Sequence, residues 1–427
     1  MTRIAVYADW ESLNGARRLG FLHARKARAN EVFEFEYDPA ALADPELSFM
    51  KLDPRINLFE GHQFPGGHQT QFGAFADSSP DRWGRLLMKR RLERDIRDGL
   101  LPSGSKLYES DCLLGVHDLF RVGGLRYKLN DEGSFLDDRD GIAAPPFLEL
   151  RALEQASRAL ENDPDNTALE GREWLKMLIA PGGSLGGARP KASVADRQGH
   201  LWIAKFPSIR DDYDVGAWEM VVNALAKNCG LRVATGTAQR YASKHHSFMV
   251  KRFDRSKSGG RFHFASAMTM TDRVDGDDAS NGASYIELAR VIIEHGSEVD
   301  TDLRELWSRI VFNILVSNTD DHLRNHGFLL DPGRGWRLSE AYDMNPVANA
   351  DGLKLNITDS DNALDLDLAR EVAKTFRVDR DDAEKIIKNC QKIVRQWPTL
   401  AGALGLAQRE QEKMERAFQQ HQPRPPI

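Results

Sequence analysis

Asn318-Thr319-Asp320-Asp321-His322-Leu323-Arg324-Asn325 is the stretch on which the reading of this chain turns. It follows an apolar run ending at Val316 and sets a carboxylate, Asp320, five residues ahead of an amide, Asn325. That spacing suits a definite chemistry. One carboxylate reaches an attacking hydroxyl while a neutral amide oxygen, a short loop away, holds a magnesium ion. Taken alone, the octapeptide reads equally well as an Asn/Asp-rich turn closing the preceding helix.

The surroundings favour chemistry. Asp343 lies 18 residues beyond Asn325, at the end of Trp336-Arg337-Leu338-Ser339-Glu340-Ala341-Tyr342, and offers a second hard oxygen ligand. Upstream, Lys205 stands in the apolar strand LWIAKF, where a lysine either snorkels to the surface or points at an anion. Glu219, on the helix that follows, could orient it or simply face water. Before that strand runs Gly182-Gly183-Ser184-Leu185-Gly186-Gly187-Ala188-Arg189-Pro190-Lys191. Glycines let backbone N–H groups approach phosphate oxygens. No Gly-Lys-Ser/Thr follows them, so this is not a Walker A loop, and a plain surface loop is the competing reading.

Outward from these motifs the periodicity divides the chain. Over the first 60 residues IAVYAD and VFEFEYD alternate as strands. From Phe72 to Arg97 the spacing turns helical, with Ser79 placed to cap and Pro80 in the first turn. Asn130 to Pro146, rich in Asp and Gly, reads as a linker. Then come a helix over Leu148 to Leu160, the strand LWIAKF, a helix over WEMVVNALAKNCG and the strand SFMVKRFDR. Beyond Tyr285 the apolar residues recur at helical spacing, interrupted by a loop-rich stretch from Asn318 to about Asp367. HQPRPPI forms a frayed tail. The expected division is 1–135, 136–256 and 257–427.

Asp320 and Asn325 share the offset of the protein-kinase catalytic loop, H-R-D-x4-N, and Asp343 stands where the aspartate of DFG stands. The triplet here is Asp343-Met344-Asn345, so the DFG pattern itself is absent. GGARPKA (186–192), LWIAKFP (201–207), VKRFDR (250–255), NTDDHLRNHGFLL (318–330) and AYDMNP (341–346), in that order, resemble the HipA family of type II toxin–antitoxin Ser/Thr kinases. FGAFADSSPDRWGRLLMKRR (72–91) resembles that family's N-terminal region. The resemblance covers about residues 60 to 400.

It implies an α+β, protein-kinase-like fold of two lobes, with an N-terminal subdomain, a strand-rich N-lobe and a mostly helical C-lobe. It implies ATP and Mg2+ as cofactors, Asp320 as catalytic base, and Asn325 and Asp343 as metal ligands. Nucleotide contacts would come from Gly183, Ser184, Gly186, Gly187, Ala188, Lys205, His322, Asn325, Asp343 and the hinge residues Lys251, Arg252 and Phe253. Where Lys251 stands the family often has an acidic residue, which matters little if the hinge contacts are made by backbone groups. Ser184 matches the serine that family members autophosphorylate, and a dianionic phosphoserine cannot share a phosphate cradle with ATP. The implied partners are a HipB-like helix-turn-helix antitoxin that makes the DNA contact, and a protein substrate, an aminoacyl-tRNA synthetase in the usual case.

Composition sets limits on the alternatives. A net charge of -6 argues against free-standing nucleic-acid binding. The local run Arg82, Arg85, Lys89, Arg90, Arg91 is a basic patch or a solvated helix face. Three scattered cysteines, without a CxxC pair, exclude a disulfide framework and a thiolate zinc site. The N-terminal residues lack a signal-peptide pattern, and the reading is cytoplasmic. His322 and His326 could bind zinc with Asp320 or Asp321, but HExxH is absent. His322 is therefore read as bracing the loop, and His326 has no assigned role. A binding module serving as a co-repressor and a small-molecule kinase are the other readings. Intact Lys205, Asp320, Asn325 and Asp343 oppose the first, and the N-terminal region opposes the second.

Overall fold

A computed structural model describes residues 1–27, 30–49, 51–66, 69–138, 149–179, 187–349 and 351–419. The chain divides into two units. The first holds Met1–Arg210, Arg240–Lys244 and Met249–Ala265; the second holds Asp211–Gln239, His245–Phe248 and Ser266–Ile427.

In the first unit, β1 (Thr2–Ala8), β2 (Arg17–Ala27), β3 (Asn30–Tyr37) and β4 (Leu125–Lys128) form a sheet of order β3-β2-β1-β4. β1 pairs antiparallel with both neighbours. Alternation buries Phe33, Phe35 and Tyr37 on one face, where Phe35 and Phe75 pack with ring centroids 5.5 Å apart. The helix expected from Ser79 begins instead at Arg82. Asp81 is its cap, accepting from the Gly84 N–H at 2.9 Å, while the Ser79 hydroxyl donates to Phe75 O at 3.0 Å. A short carboxylate reaches the exposed first-turn N–H groups, and its charge suits the positive end of the helix.

That helix, Arg82–Arg97, packs Trp83 and Leu87 against Leu150, Leu153 and Leu160 of the helix Leu150–Glu161 and Leu175 and Leu178 of Gly171–Ile179. The same cluster takes in Val194 of β5 (Lys191–Ala195) and Ala204 of β6 (Leu201–Lys205), an antiparallel pair in which Lys191 sits opposite Lys205. Two members of the basic run are used internally: Arg85 pairs with Glu109 at 2.7 Å and Arg90 donates to Leu160 O at 2.6 Å. Of the linker reading, residues 139–146 lie outside the described residues, as does the tail, while in the described part Leu136 N–H donates to Tyr127 O at 2.9 Å and Asp137 N–H to Val116 O at 3.0 Å.

In the second unit the helix Val299–Val316 is buried nearly all round from Leu303 onward, as a helix at the centre of a domain must be. Tyr285–His295 precedes it, started by a capping box of Ser284 and Glu287. Trp397 stacks on Phe418 at 4.8 Å and lies beside Trp218 of the helix Val215–Asn228, closing the C-terminal helices onto the unit. The stretch read as loop-rich contains a hairpin, Gly327–Asp331 with Gly335–Leu338, in register Phe328↔Leu338. Its first strand is a short apolar run without alternation and its second, though alternating, is only four residues long, so the period is hard to read. Gly335, at φ +125, permits an approach to His295 O that any Cβ would block. Among the described residues no helix is long and apolar enough to cross a membrane.

Candidate active site

The sequence-predicted residues fall into one group in each unit. Gly183, Ser184 and Gly186 lie outside the described residues.

In the first unit, Gly187 has φ +65 and ordinary contact distances around its Cα. Its carbonyl accepts from Lys191 Nζ at 3.2 Å, and the same ammonium bonds Asp81 Oδ2 at 2.8 Å. Both side chains of this ion pair are almost fully buried. The end of the glycine loop is thus fastened to the cap of the helix Arg82–Arg97, through a lysine and an aspartate to which the sequence reading assigned no role. Ala188 follows directly. Lys205 ends β6, is 9% exposed and has an electrostatic partner.

The hinge segment behaves differently. Arg252 N–H donates to Leu201 O at 3.0 Å. The Arg252 guanidinium forks onto Asp254 at 2.8 and 2.6 Å and donates to Phe120 O and Arg121 O. Its backbone donor and its side chain are both engaged inside the unit. Burial alone would raise the Asp254 carboxyl; Arg252 and Arg255 hold it well below the usual range instead. Phe253 packs on Phe264 at 6.2 Å, and Lys251 is half-buried.

In the second unit the helix Val299–Val316 ends on Ser317 in the left-handed region, φ +48, which turns the chain sharply. Asn318 Nδ2 donates to Asn313 Oδ1 at 3.0 Å, and Asn313 Nδ2 donates to Asp321 Oδ2 at 2.7 Å. The same Asp321 oxygen receives the Tyr285 hydroxyl and lies 2.8 Å from His326 Nε2. Burial pushes the Asp321 carboxyl up, but the charge and hydrogen bond of His326 outweigh it, so the acid stays below the usual range. Burial and Asp321 together raise the Tyr285 hydroxyl well above its ordinary value.

The adjacent Asp320 is exposed. Its carbonyl accepts from His322 N–H at 2.9 Å and from Asn325 Nδ2 at 3.0 Å, so the loop closes on itself. The bracing imidazole is therefore His326, not His322. His322 Nδ1 is buried without a hydrogen-bond partner among the described residues. Among the described residues His322 and His326 do not gather with a third ligating side chain, so the zinc reading gains no support.

Asn325 Oδ1 is buried with no hydrogen-bond partner among the described residues, while its amide nitrogen is tied down. A fixed, unsatisfied oxygen is the donor a hard cation takes, so this residue fits magnesium. The loop carrying Asp343 is sewn to the same place. Tyr342 hydroxyl donates to Arg324 O at 2.7 Å, Asn345 N–H to Asn318 Oδ1 at 3.1 Å, and Val347 N–H to Ser317 O at 3.0 Å. Asp343 itself has φ +58, a costly conformation for a non-glycine residue that the surrounding bonds must hold. Asn345 Oδ1 is a second buried oxygen with no hydrogen-bond partner among the described residues, and Asn345 Nδ2 lies 3.4 Å from Asp343 Oδ1. The sequence reading missed Asn345. An amide two residues past a metal-type aspartate was the available signal.

A strand-rich unit with a glycine segment and a lysine-ended strand, and a helical unit carrying a braced Asp-Asn loop tied to a second aspartate loop, make a protein-kinase-like fold of the HipA type. The HipA-like C-terminal domain matches residues 183–397, and the chain belongs to the HipA family. A Haemophilus influenzae protein named "Putative kinase" is 27% identical over 191 residues, covering 41% of this chain and 55% of that protein. A Sinorhizobium fredii protein named "Putative kinase Y4mE" is 26% identical over 291 residues, 60% of this chain and 64% of its own. The chain thus spans between about half and two thirds of these curated relatives. Among solved structures, the HipA chain of a HipA, HipB and operator DNA complex from Shewanella oneidensis MR-1 superimposes with a TM-score of 0.64 at 17% identity, covering 97% of this chain and 95% of that one. At that identity the likeness is one of fold.

Proposed function

We propose that this chain is an ATP- and magnesium-dependent Ser/Thr protein kinase of the HipA type. The observation that carries the reading is the orphaned Asn325 oxygen, fixed beside the exposed Asp320 and joined through Tyr342 to the loop that holds Asp343.

Asp320 accepts the hydrogen bond of the attacking hydroxyl and orients its oxygen in line with the γ-phosphorus; the hydroxyl proton passes to that carboxylate as the new P–O bond forms and ADP leaves. Asn325 and Asp343 would hold magnesium, which supplies charge neutralisation for the phosphates when bound. Lys205 and the backbone around Gly183, Ser184, Gly186, Gly187 and Ala188 would fix the phosphates, with Lys191 holding the loop's end in place. Lys251, Arg252 and Phe253 would meet adenine. His322 would line the nucleotide site.

The substrate is a protein, with an aminoacyl-tRNA synthetase as the first candidate, and Ser184 is the site of self-phosphorylation. A HipB-like antitoxin is the proposed partner, supported by the complex in which the structural neighbour was solved. The setting is the cytoplasm. The test is incubation with γ-labelled ATP and magnesium, wild type beside Asp320→Ala, followed by mass spectrometry. Label on Ser184 in the wild type alone supports the reading. Equal label in both proteins removes Asp320 from the chemistry.

A further inference from the structure

A second cluster of ligating side chains lies far along the chain from the kinase motifs, on the N-terminal sheet. β2 and β3 pair with His23 opposite Glu34, which puts Glu36 on the next diagonal of the same face. The backbone of Gln63 exchanges two hydrogen bonds with Phe35, at 2.9 and 2.8 Å, on the far edge of β3. That exchange fixes the register of the incoming segment and lays His62 over the same two glutamates. His23 Nε2 is 2.9 Å from Glu36 Oε1, and His62 Nε2 is 3.4 Å from Glu36 Oε2. His62 Nδ1 is 3.6 Å from Glu34 Oε1. The two rings are 5.4 Å apart. One ligand atom each from His23, Glu36 and His62 fall within 4.8 Å of one another.

We propose that His23, Glu36 and His62 bind a zinc-type divalent ion, with Glu34 or water completing the shell. Two imidazoles and a carboxylate are the donor set of a borderline ion with a tetrahedral habit, and a poor set for magnesium, which prefers oxygen. The ligands come from three separate segments held by main-chain pairing, so the site is preformed. His23 is buried, Glu36 half-buried and His62 exposed, so the ion enters from the open side and adds a tie to a segment already paired with the sheet. In that segment Phe59 and Phe64 are exposed, and the bound ion would fix how they are displayed.

Titration of the full chain with Co2+, followed by its visible ligand-field bands and by calorimetry with Zn2+, tests the site in the presence of excess Mg2+. The expected result is one saturable equivalent and a rise in melting temperature with Zn2+. Both are lost in His62→Ala and weakened at least tenfold in Glu36→Gln, and both persist in His200→Ala, which alters an imidazole–carboxylate pair elsewhere. His62 is exposed, so its replacement leaves the core intact, which circular dichroism checks. Binding that survives His62→Ala, or no saturable binding to the wild type, overturns the site.

Discussion

Two buried polar networks, one in each unit, treat their charges in opposite ways. In the first unit the guanidinium groups of Arg252 and Arg255 share the single carboxylate of Asp254, and the main-chain carbonyls of Leu119, Phe120 and Arg121 accept from the same two side chains. Two cations thus meet one anion, the excess charge is turned toward carbonyl oxygens, and the Arg252 side chain is engaged in holding the fold. In the second unit Asp321 collects Tyr285, Asn313 and His326 on a single oxygen, and the loop so fixed presents Asp320 to solvent and leaves Asn325 Oδ1 without a hydrogen-bond partner among the described residues. Adjacent carboxylates thus divide the labour: one builds the platform, the other stands on it. What sets the second apart is a fixed amide oxygen, Asn325 Oδ1, beside an exposed carboxylate, Asp320, on one short loop.

Asp254→Ala leaves two buried guanidinium groups without their carboxylate, and we expect a loss of about 3–5 kcal/mol in urea unfolding. A loss under about 1 kcal/mol would show that the carbonyl acceptors suffice and that the first network is looser than described. His326→Ala should cost about 1–3 kcal/mol, because it strips Asp321 of its main charged partner inside a buried site. Its sign with pH sharpens the point. The folded Asp321 carboxyl sits below the usual range, so its contribution is complete above that range and fades as pH falls through the depressed value. Removing His326 raises the folded value, so acid unfolding should begin at higher pH than in the wild type; an unchanged acid limb would argue against the pairing. Tyr342→Phe deletes one hydrogen bond to Arg324 O, at about 0.5–1.5 kcal/mol. Its more telling effect is on the coupling of the two loops: transfer activity should fall while melting barely moves.

Much of the second unit was legible because long helices advertise themselves. Tyr285–His295 and Val299–Val316 follow directly from apolar spacing. The Asp320–Asn325 loop was legible from spacing, but which neighbour did the bracing was not. Asp320 and Asp321 are identical in sequence terms, and only burial separates them. His326, which had no assigned role, does the bracing for the same reason: its imidazole is buried against Asp321. The hairpin at 327–338 escaped because its first strand lacks alternation and its second is only four residues long, and the cap at Asp81 because Ser79-Pro80 offered an equally good local signal. Lys191 shows the limit most clearly. Its partner Asp81 is 110 residues away, and no local pattern announces an ion pair across that distance.

The central claim, that Asp320 acts and Asp321 supports, is tested most directly by comparing Asp320→Asn with Asp321→Asn in melting temperature and in phosphoryl transfer per folded molecule. The account predicts that Asp320→Asn melts like the wild type and loses transfer by roughly 10²–10⁴-fold, the worth of a positioned general base. Asp321→Asn should melt markedly lower while the fraction that remains folded keeps measurable transfer. A stable Asp321→Asn protein without activity, beside an active Asp320→Asn protein, would contradict the assignment.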